Sequence, residues 1–149
     1  MMPADNAAWT LRREIPSETT IGSELVEELI AAMTERDWPP ADLFRTQLAY
    51  QEAIVNAIRH GNRCDPNKTV LVEMSCDDDR AVITITDQGD GFDPTAVPDP
   101  RSDELLEVPG GRGVLLIGEL MNEVAYNDRG NQITMTKIKG ENPPSDGNE

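Results

Sequence analysis

A carboxylate and a carboxamide four residues apart, Glu52 and Asn56, are the residues of this chain whose types and spacing are best suited to chemistry. Both fall in the apolar helical pattern of residues 51–62, and side chains at i and i+4 project from one face of a helix. A carboxylate there could orient water or accept a proton, and an amide oxygen could ligate a hard cation such as Mg²⁺. Two solvated surface residues would show the same pattern. The pair borders an apolar arc that we expect to be buried, made of Leu43, Phe44, Leu48, Tyr50, Ile54, Val55 and Ile58.

Two glycine clusters follow the pair along the chain. In Asp87-x-Gly89-x-Gly91 a carboxylate ends an apolar strand pattern, and the glycines let the backbone turn sharply and let a flat ligand approach. Asp87 could accept a hydrogen bond from an exocyclic amine, which would select adenine over guanine. In residues 110–113, Gly-Gly-Arg-Gly, the glycines precede a helical pattern whose free N–H groups suit phosphate oxygens. Neither cluster is a P-loop or a dinucleotide fingerprint, and a tight turn or a helix cap would explain each one alone.

The helices and strands that must position these residues can be predicted from the sequence pattern, and together they indicate an α+β fold. Period-two patterns rich in β-branched residues indicate strands, and apolar residues three or four apart indicate helices. The predicted order is an edge strand at 9–15, a helix from an N-cap among residues 17–20 to about 36, a turn at 37–40, a helix at 41–60, strands at 69–76 and 81–86 joined by a turn at 77–79, a long loop, a helix at 114–121, and a closing hairpin of strands 124–126 and 132–139. This order is typical of a two-layer α/β sandwich, with a mixed, mostly antiparallel sheet and its helices on one face.

The length of 149 residues predicts one domain, because it can bury a single core and is too short for two ordinary ones. We place that domain at residues 9–139. It is preceded by a flexible start at 1–8, contains a mobile segment at about 93–109, and is followed by a disordered acidic tail at 140–149.

The composition narrows the class of function. A net charge of −15 repels phosphate backbones and anionic lipids, so we expect protein partners and neither nucleic acid nor membrane. An acidic chain can still bind a nucleotide when backbone N–H groups and a metal ion supply local positive potential. Cys64 and Cys76 have no CxxC spacing and there is one histidine, so we expect reduced thiols and no zinc site. The absence of a long apolar run and of a signal sequence predicts a soluble, cytoplasmic protein.

Taken in order, the motifs resemble the GHKL superfamily of ATP-binding domains, which have the Bergerat (histidine-kinase-like ATPase) fold, and within it the anti-sigma factor serine/threonine kinases. Glu52-x-x-x-Asn56 followed by His60-Gly61 is similar to the N-box of that family. The first glycine box is matched by Asp87-x-Gly89-x-Gly91-Phe92, and the second by Gly111-x-Gly113 with the apolar residues 114–117. The resemblance covers roughly residues 9–139.

The resemblance implies an ATP site in which Asn56 ligates a Mg²⁺ that bridges the phosphates and Glu52 is the general base. Asp87 would bind the adenine amine. The other residues implied to contact ATP are Gly89, Gly91 and Phe92 around the base, and Gly111, Arg112, Gly113 and Val114 at the phosphates, beneath a lid at about 93–109. His60 is implied to be a structural or site-lining residue and not a phosphoacceptor.

The activity implied is ATP- and Mg²⁺-dependent phosphorylation of a serine or threonine on a small anti-anti-sigma-like protein, with a sigma factor as a further partner. Relatives form homodimers through the sheet face or the first strand, which makes a homodimer a candidate assembly here. Two other readings stay open at the level of sequence. One is a nucleotide-gated protein-binding module without phosphotransfer, and the other is a scaffold that binds no nucleotide.

The chain departs from the family pattern at two places. Family members commonly have Gly-Thr-Thr at the start of the last strand, one threonine supporting adenine, where this chain has Gly130-Asn131-Gln132 with Thr134 beyond. Some relatives also have a basic residue two places before the second glycine box, where this chain has Pro109. The candidate cations that remain for the phosphates are Arg112, Arg101 and Arg63.

Overall fold

Alternating apolar residues build a five-stranded sheet with the strand order β1-β2-β3-β5-β4. The computed structural model describes residues 9–89, 117–127 and 130–141. The strands are β1 (Trp9–Pro16), β2 (Thr69–Cys76), β3 (Arg80–Thr86), β4 (Glu123–Tyr126) and β5 (Gln132–Ile138). All four strand pairings among the described residues are antiparallel. The predicted strands are therefore confirmed to within one residue at each end, including the edge position of β1 and the turn at residues 77–79.

The period of two along the strands gives the sheet one buried face. In β2, Val70, Val72, Met74 and Cys76 are buried, and the residues between them are partly exposed. The helices pack on this buried face, with contacts from the second helix to β2 and from the third to β3 and β5. This arrangement confirms the predicted two-layer α+β sandwich.

The helix predicted to run from residues 17–20 to about 36 is two helices, α1 (Thr19–Glu24) and α2 (Val26–Glu35), with a joint at Leu25. At the joint the backbone bonds tighten to i→i+3, from Leu25 N–H to the Gly22 carbonyl at 3.3 Å. A side chain on Gly22 would approach Ile54 Cγ1 to 2.8 Å, so glycine lets α1 pack directly against the third helix. The N-cap of α1 is Glu18, which makes no capping bond through its side chain, and Ser17 donates its hydroxyl hydrogen bond to the Lys68 carbonyl.

The helix predicted at residues 41–60 is α3 (Pro40–Val55), followed by a π-helical turn (Asn56–Gly61). The predicted apolar arc is wrong at Phe44, whose side chain is 64% exposed. The buried stripe is rotated and includes Asp42 and Thr46 in place of Phe44, because Asp42 pairs with a lysine from β5 inside the protein. Tyr50, Ile54 and Ile58 are fully buried as predicted, and Leu43, Leu48 and Val55 are partly buried.

Several predictions fall on residues outside those described. They are the flexible start at 1–8, the whole segment from Gly91 to Val114 with its mobile part at 93–109, residues 114–116 of the helix at 114–121, and the tail beyond 141. Residues 117–120 are helical, in agreement with the predicted helix. None of the described helices combines the length and apolarity needed to cross a membrane.

Candidate functional site

The π-helical turn after Val55 sets the direction in which the residues that follow α3 project. In a π-helix the backbone bonds connect residues five apart, so each turn is wider than in an α-helix. Asn62 N–H accordingly donates to the Ala57 carbonyl at 2.8 Å. Glu52 and Asn56 lie one α-helical turn apart, and Gly61 lies one π-turn beyond Asn56. The three residues therefore follow one another along the same side of the helix.

Glu52 and Asn56 are each partly buried, with solvent access remaining. Within residues 9–89, 117–127 and 130–141, neither side chain has a hydrogen-bond or ion-pair partner. Their oxygen atoms are thus available to a ligand. An amide oxygen is a hard donor that suits Mg²⁺, which in nucleotide sites takes few protein ligands and completes its shell with phosphate oxygens and water. Among the described residues, no group of three His, Cys, Asp or Glu side chains could hold a metal ion.

Gly61 brings the end of the helix into contact with Asp87 and Gly89. A Cβ atom on Gly61 would collide with the carboxylate of Asp87, and a Cβ on Gly89 would collide with the Gly61 carbonyl oxygen. Gly61 therefore leaves room for the Asp87 carboxylate, and Gly89 allows its own backbone to approach the backbone of Gly61 closely. The structure thus brings the glycine that ends the helix against Asp87 and Gly89, the predicted site residues that follow β3.

Asp87 is held by both its main chain and its side chain. Its N–H donates to the Asn131 carbonyl at 2.9 Å, and its own carbonyl accepts from Asn131 Nδ2 at 3.0 Å. Its Oδ1 accepts from the Gly89 N–H at 2.8 Å. The carboxylate therefore has a fixed direction at the end of β3, next to Gly61 at the end of the π-turn.

Asn62 bonds to the peptide group that follows Asp87, and in the sequence it stands out only by its place after a helix-ending glycine. Its side chain is 1% exposed and bonds to three other segments of the chain. Nδ2 donates to Ser17 Oγ at 3.0 Å and to the Thr69 carbonyl at 2.9 Å, and Oδ1 accepts from the Gln88 N–H at 2.7 Å. A polar residue directly after the glycine was the available signal, but its partners lie far along the sequence.

The departure from Gly-Thr-Thr has a structural counterpart in a set of side-chain amides. Asn131 accepts from Asn127 Nδ2 at 2.8 Å while its own Nδ2 holds the Asp87 carbonyl. Gln132 Nε2 donates to Thr86 Oγ1 at 2.9 Å. The amides of residues 131 and 132 therefore tie β5 to the end of β3, beside Asp87.

The other residues considered in the sequence analysis are exposed, are free thiols, or lie outside the described part of the chain. His60 and Arg63 are exposed, and Arg63 and Cys64 both have a φ of 57° at the exit from the π-turn. Both cysteines are free thiols as predicted. Burial raises the pKa of the Cys76 thiol to about 11, so it remains protonated and unreactive near neutral pH. Gly91, Phe92, Gly111, Arg112, Gly113, Val114, Arg101 and Pro109 lie outside the described residues.

The comparisons with known proteins agree with this arrangement. Residues 15–137 match the family model described as a histidine kinase-like ATPase domain. The chain is 34% identical over 116 residues to the serine-protein kinase RsbW of Bacillus licheniformis, an alignment covering 71% of each protein. It is 30% identical over 103 residues to the anti-sigma F factor of Clostridium perfringens (strain 13 / Type A), covering 64% of this chain and 72% of that one.

Among solved structures, the fold is similar to that of the RsbU and RsbW domains of Rv1364c from Mycobacterium tuberculosis, with a TM-score of 0.53. The match covers 92% of this chain and 34% of that chain, so this chain corresponds to about a third of the solved protein. At 14% sequence identity the similarity establishes the fold alone.

Proposed function

Since the chain belongs to the histidine kinase-like ATPase domain family, we propose that it is an ATP- and Mg²⁺-dependent serine/threonine protein kinase of the anti-sigma regulatory type. The observation that carries the proposal is the contact of Gly61 with Asp87, which joins the Glu52 and Asn56 face of the helix to the carboxylate proposed to select adenine. Relatives named serine-protein kinase and anti-sigma F factor support the choice of this subgroup.

Each residue of the joined site has a proposed task. Asp87 accepts a hydrogen bond from the adenine amine, and Gly89 leaves room for the base. Asn56 holds the Mg²⁺, which when bound supplies positive charge to the phosphates. The predicted contacts of Gly91 and Phe92 with the base, and those of Gly111, Arg112, Gly113 and Val114 with the phosphates beneath a lid at 93–109, belong to the same proposal.

In the proposed reaction, the oxygen of a substrate hydroxyl forms a bond to the γ-phosphorus of ATP. The bond from that phosphorus to the β–γ bridging oxygen breaks, and ADP leaves with the electron pair. Glu52, whose carboxylate has no partner among the described residues, accepts the hydroxyl proton. Orientation of the two reactants and stabilisation of charge supply most of the rate enhancement, as is general for phosphoryl transfer.

We propose a small anti-anti-sigma-like protein as the substrate and a sigma factor as a second partner, in the cytoplasm. The names of the relatives support this class of partner. The net charge of −15 supports protein over nucleic-acid partners, because phosphate backbones would be repelled. A homodimer through the sheet face or β1 is part of the same proposal.

Transfer of labelled phosphate from ATP to proteins that co-purify with the chain tests the proposal. We expect Glu52→Gln to lower the transfer rate by about 10²–10⁴-fold, the range for loss of a general base. ATP with Mg²⁺ should still raise the melting temperature of this variant, since Glu52 is not needed for binding. Glu73→Gln, which changes a carboxylate on the sheet whose side chain is 44% exposed, is the matched control and should transfer at the normal rate.

The other outcomes of this experiment are distinct. Unchanged transfer in Glu52→Gln would remove the role given to Glu52. Nucleotide-dependent binding of the partner without any transfer would favour a nucleotide-gated binding module. Failure of ATP with Mg²⁺ to raise the melting temperature of the unmodified protein would point to a scaffold that binds no nucleotide.

A further inference from the structure

The buried amide of Asn62 lies where the start of α1, the start of β2 and the end of β3 meet the π-turn. Its orientation is fixed by its partners. The Thr69 carbonyl can only accept a hydrogen bond, and Ser17 Oγ already donates to the Lys68 carbonyl at 2.8 Å, so both must face the Nδ2 donor. Oδ1 must then face the Gln88 N–H, which can only donate. A flipped amide would leave all three bonds unmade.

The Gln88 N–H belongs to the same peptide group as the Asp87 carbonyl. That carbonyl accepts from Asn131 Nδ2 at 3.0 Å, and the N–H donates to Asn62 Oδ1 at 2.7 Å. The Asp87–Gln88 peptide group is therefore hydrogen-bonded at its N–H by Asn62 and at its carbonyl by Asn131. Asn131 is itself oriented by Asn127, whose Nδ2 donates to its Oδ1 at 2.8 Å. Fixing this plane fixes the backbone of Asp87 and hence the direction of its side chain.

A turn at the protein surface does not need side-chain hydrogen bonds to both ends of one of its peptide groups. Buried polar groups cost stability unless they are paired, and a fully paired network holds one geometry. The turn after β3 could have been satisfied by solvent. Instead, a side chain 1% exposed is used to hold the peptide that follows the carboxylate.

We propose that Asn62 is a positioning residue for base recognition. With Asn131 it clamps the Asp87–Gln88 peptide so that the Asp87 carboxylate meets an exocyclic amine, and it thereby sets the preference of the site for adenine over guanine nucleotides. The inference rests on the proposed function, since it assumes that Asp87 faces the base. A carboxylate held in place accepts from the amine of adenine and repels the carbonyl oxygen that guanine has at the same position.

Titration of the protein with ADP and with GDP, both in the presence of Mg²⁺, tests the proposal. We expect the unmodified protein to prefer ADP by at least about a hundredfold, as sites built around a substrate N–H group do. In Asn62→Ala the ratio of the two dissociation constants should fall by about tenfold, because the carboxylate loses its fixed direction. A purely structural role would lower the folded fraction and weaken both nucleotides alike, so the ratio would not change.

Ser17→Ala is the matched control. It removes one partner of Asn62 Nδ2 and costs stability, but it leaves the bond to Gln88 in place, so the ratio should be unchanged. If Asn62→Ala does not fold, Asn131→Ala releases the same peptide from its carbonyl end and should lower the ratio instead. If the unmodified protein prefers ADP and a folded Asn62→Ala or Asn131→Ala variant keeps the same ratio of dissociation constants, the positioning role of Asn62 is overturned. The proposed function would still stand in that case. Failure of the unmodified protein to bind ADP overturns both.

Discussion

The two ends of α3 are tied to the sheet by different chemistry. At the N-terminal end, Lys137 Nζ of β5 lies 3.3 Å from Asp42 Oδ1, and the two side chains are 0% and 4% exposed. The same ammonium donates to Asn122 Oδ1 at 3.1 Å and to the carbonyls of Ile138 and Glu141 at 2.9 and 2.5 Å. Asp42 Oδ2 accepts from the Gly140 N–H at 2.7 Å. At the C-terminal end the ties are neutral amides.

The two ends therefore use charge differently. The buried pair of Lys137 and Asp42 holds the structure together, whereas the Glu52 carboxylate near the other end is free to act on a ligand. The buried ion pair is surrounded by hydrogen-bond partners that satisfy it, as a charge taken out of water must be. At the other end, Asn62 and Asn131 satisfy main-chain groups, and the side chains of Glu52 and Asn56 have no partner in the described part of the chain. The buried ion pair at the N-terminal end can therefore fix how α3 lies on the sheet. Near the C-terminal end, the side-chain oxygens of Glu52 and Asn56 remain available to a ligand.

The largest effect should come from breaking the charged end. Lys137→Met leaves Asp42 buried without its cation and should lower the free energy of unfolding by about 3–5 kcal/mol. Urea denaturation measures the change. Arg12→Met is the control, because it breaks an exposed pair with Glu73 at 3.5 Å and should cost less than about 1 kcal/mol.

A second variant keeps this prediction sharp. Adding Asp42→Leu to Lys137→Met removes the orphaned charge and should recover most of the loss, since apolar replacements of buried pairs are often tolerated. A loss below about 1 kcal/mol in Lys137→Met alone would show that the pair does not hold α3 in place.

The charged end also marks the limit of what the sequence could predict. Strands and their turns were predicted almost to the residue, because a period of two and a local turn are encoded within a few neighbouring residues. The buried stripe of α3 was predicted wrongly at Phe44, because Asp42 is buried by a lysine that lies 95 positions further along the chain. No local pattern contains that information.

The site shows the same division. The motif residues Glu52, Asn56, Asp87 and Gly89 could be selected from their types and order. The π-turn that directs Gly61 onto Asp87 could not, because an apolar helical pattern does not distinguish five-residue from four-residue bonding. Asn62 was missed for the reason that applies to Asp42, since its partners belong to segments that meet only in the fold.

The second effect should come from the amide end. Gly61→Ala places a Cβ against the Asp87 carboxylate and should cost about 1–3 kcal/mol, as overpacking commonly does. ADP binding should weaken more than stability alone explains, because the displaced group is the proposed base contact. Thermal unfolding and ADP titration of the folded variant measure the two effects.

Gly118→Ala is the natural comparison for that variant. It lies in the helical residues 117–120, and a Cβ there meets nothing within 4 Å. The change should leave ADP binding intact and raise stability by up to about 1 kcal/mol through helix propensity. Gly61→Ala with normal stability and normal ADP affinity would contradict the close approach on which the site depends.

The smallest effect concerns an atom of α3 one turn after Asp42. Thr46 is fully buried, and its Oγ1 is the one buried side-chain polar atom of the described residues that has no hydrogen-bond partner. Thr46→Val keeps the shape and removes the unpaired hydroxyl, so it should stabilise the protein by about 1 kcal/mol. Thr34→Val, which removes an exposed hydroxyl bonded to the Ile30 carbonyl at 2.7 Å, should change stability by no more than about 0.5 kcal/mol. Destabilisation in Thr46→Val would instead mean that the hydroxyl is paired in solution, and that the polar network at the charged end extends one turn further along α3 than Asp42.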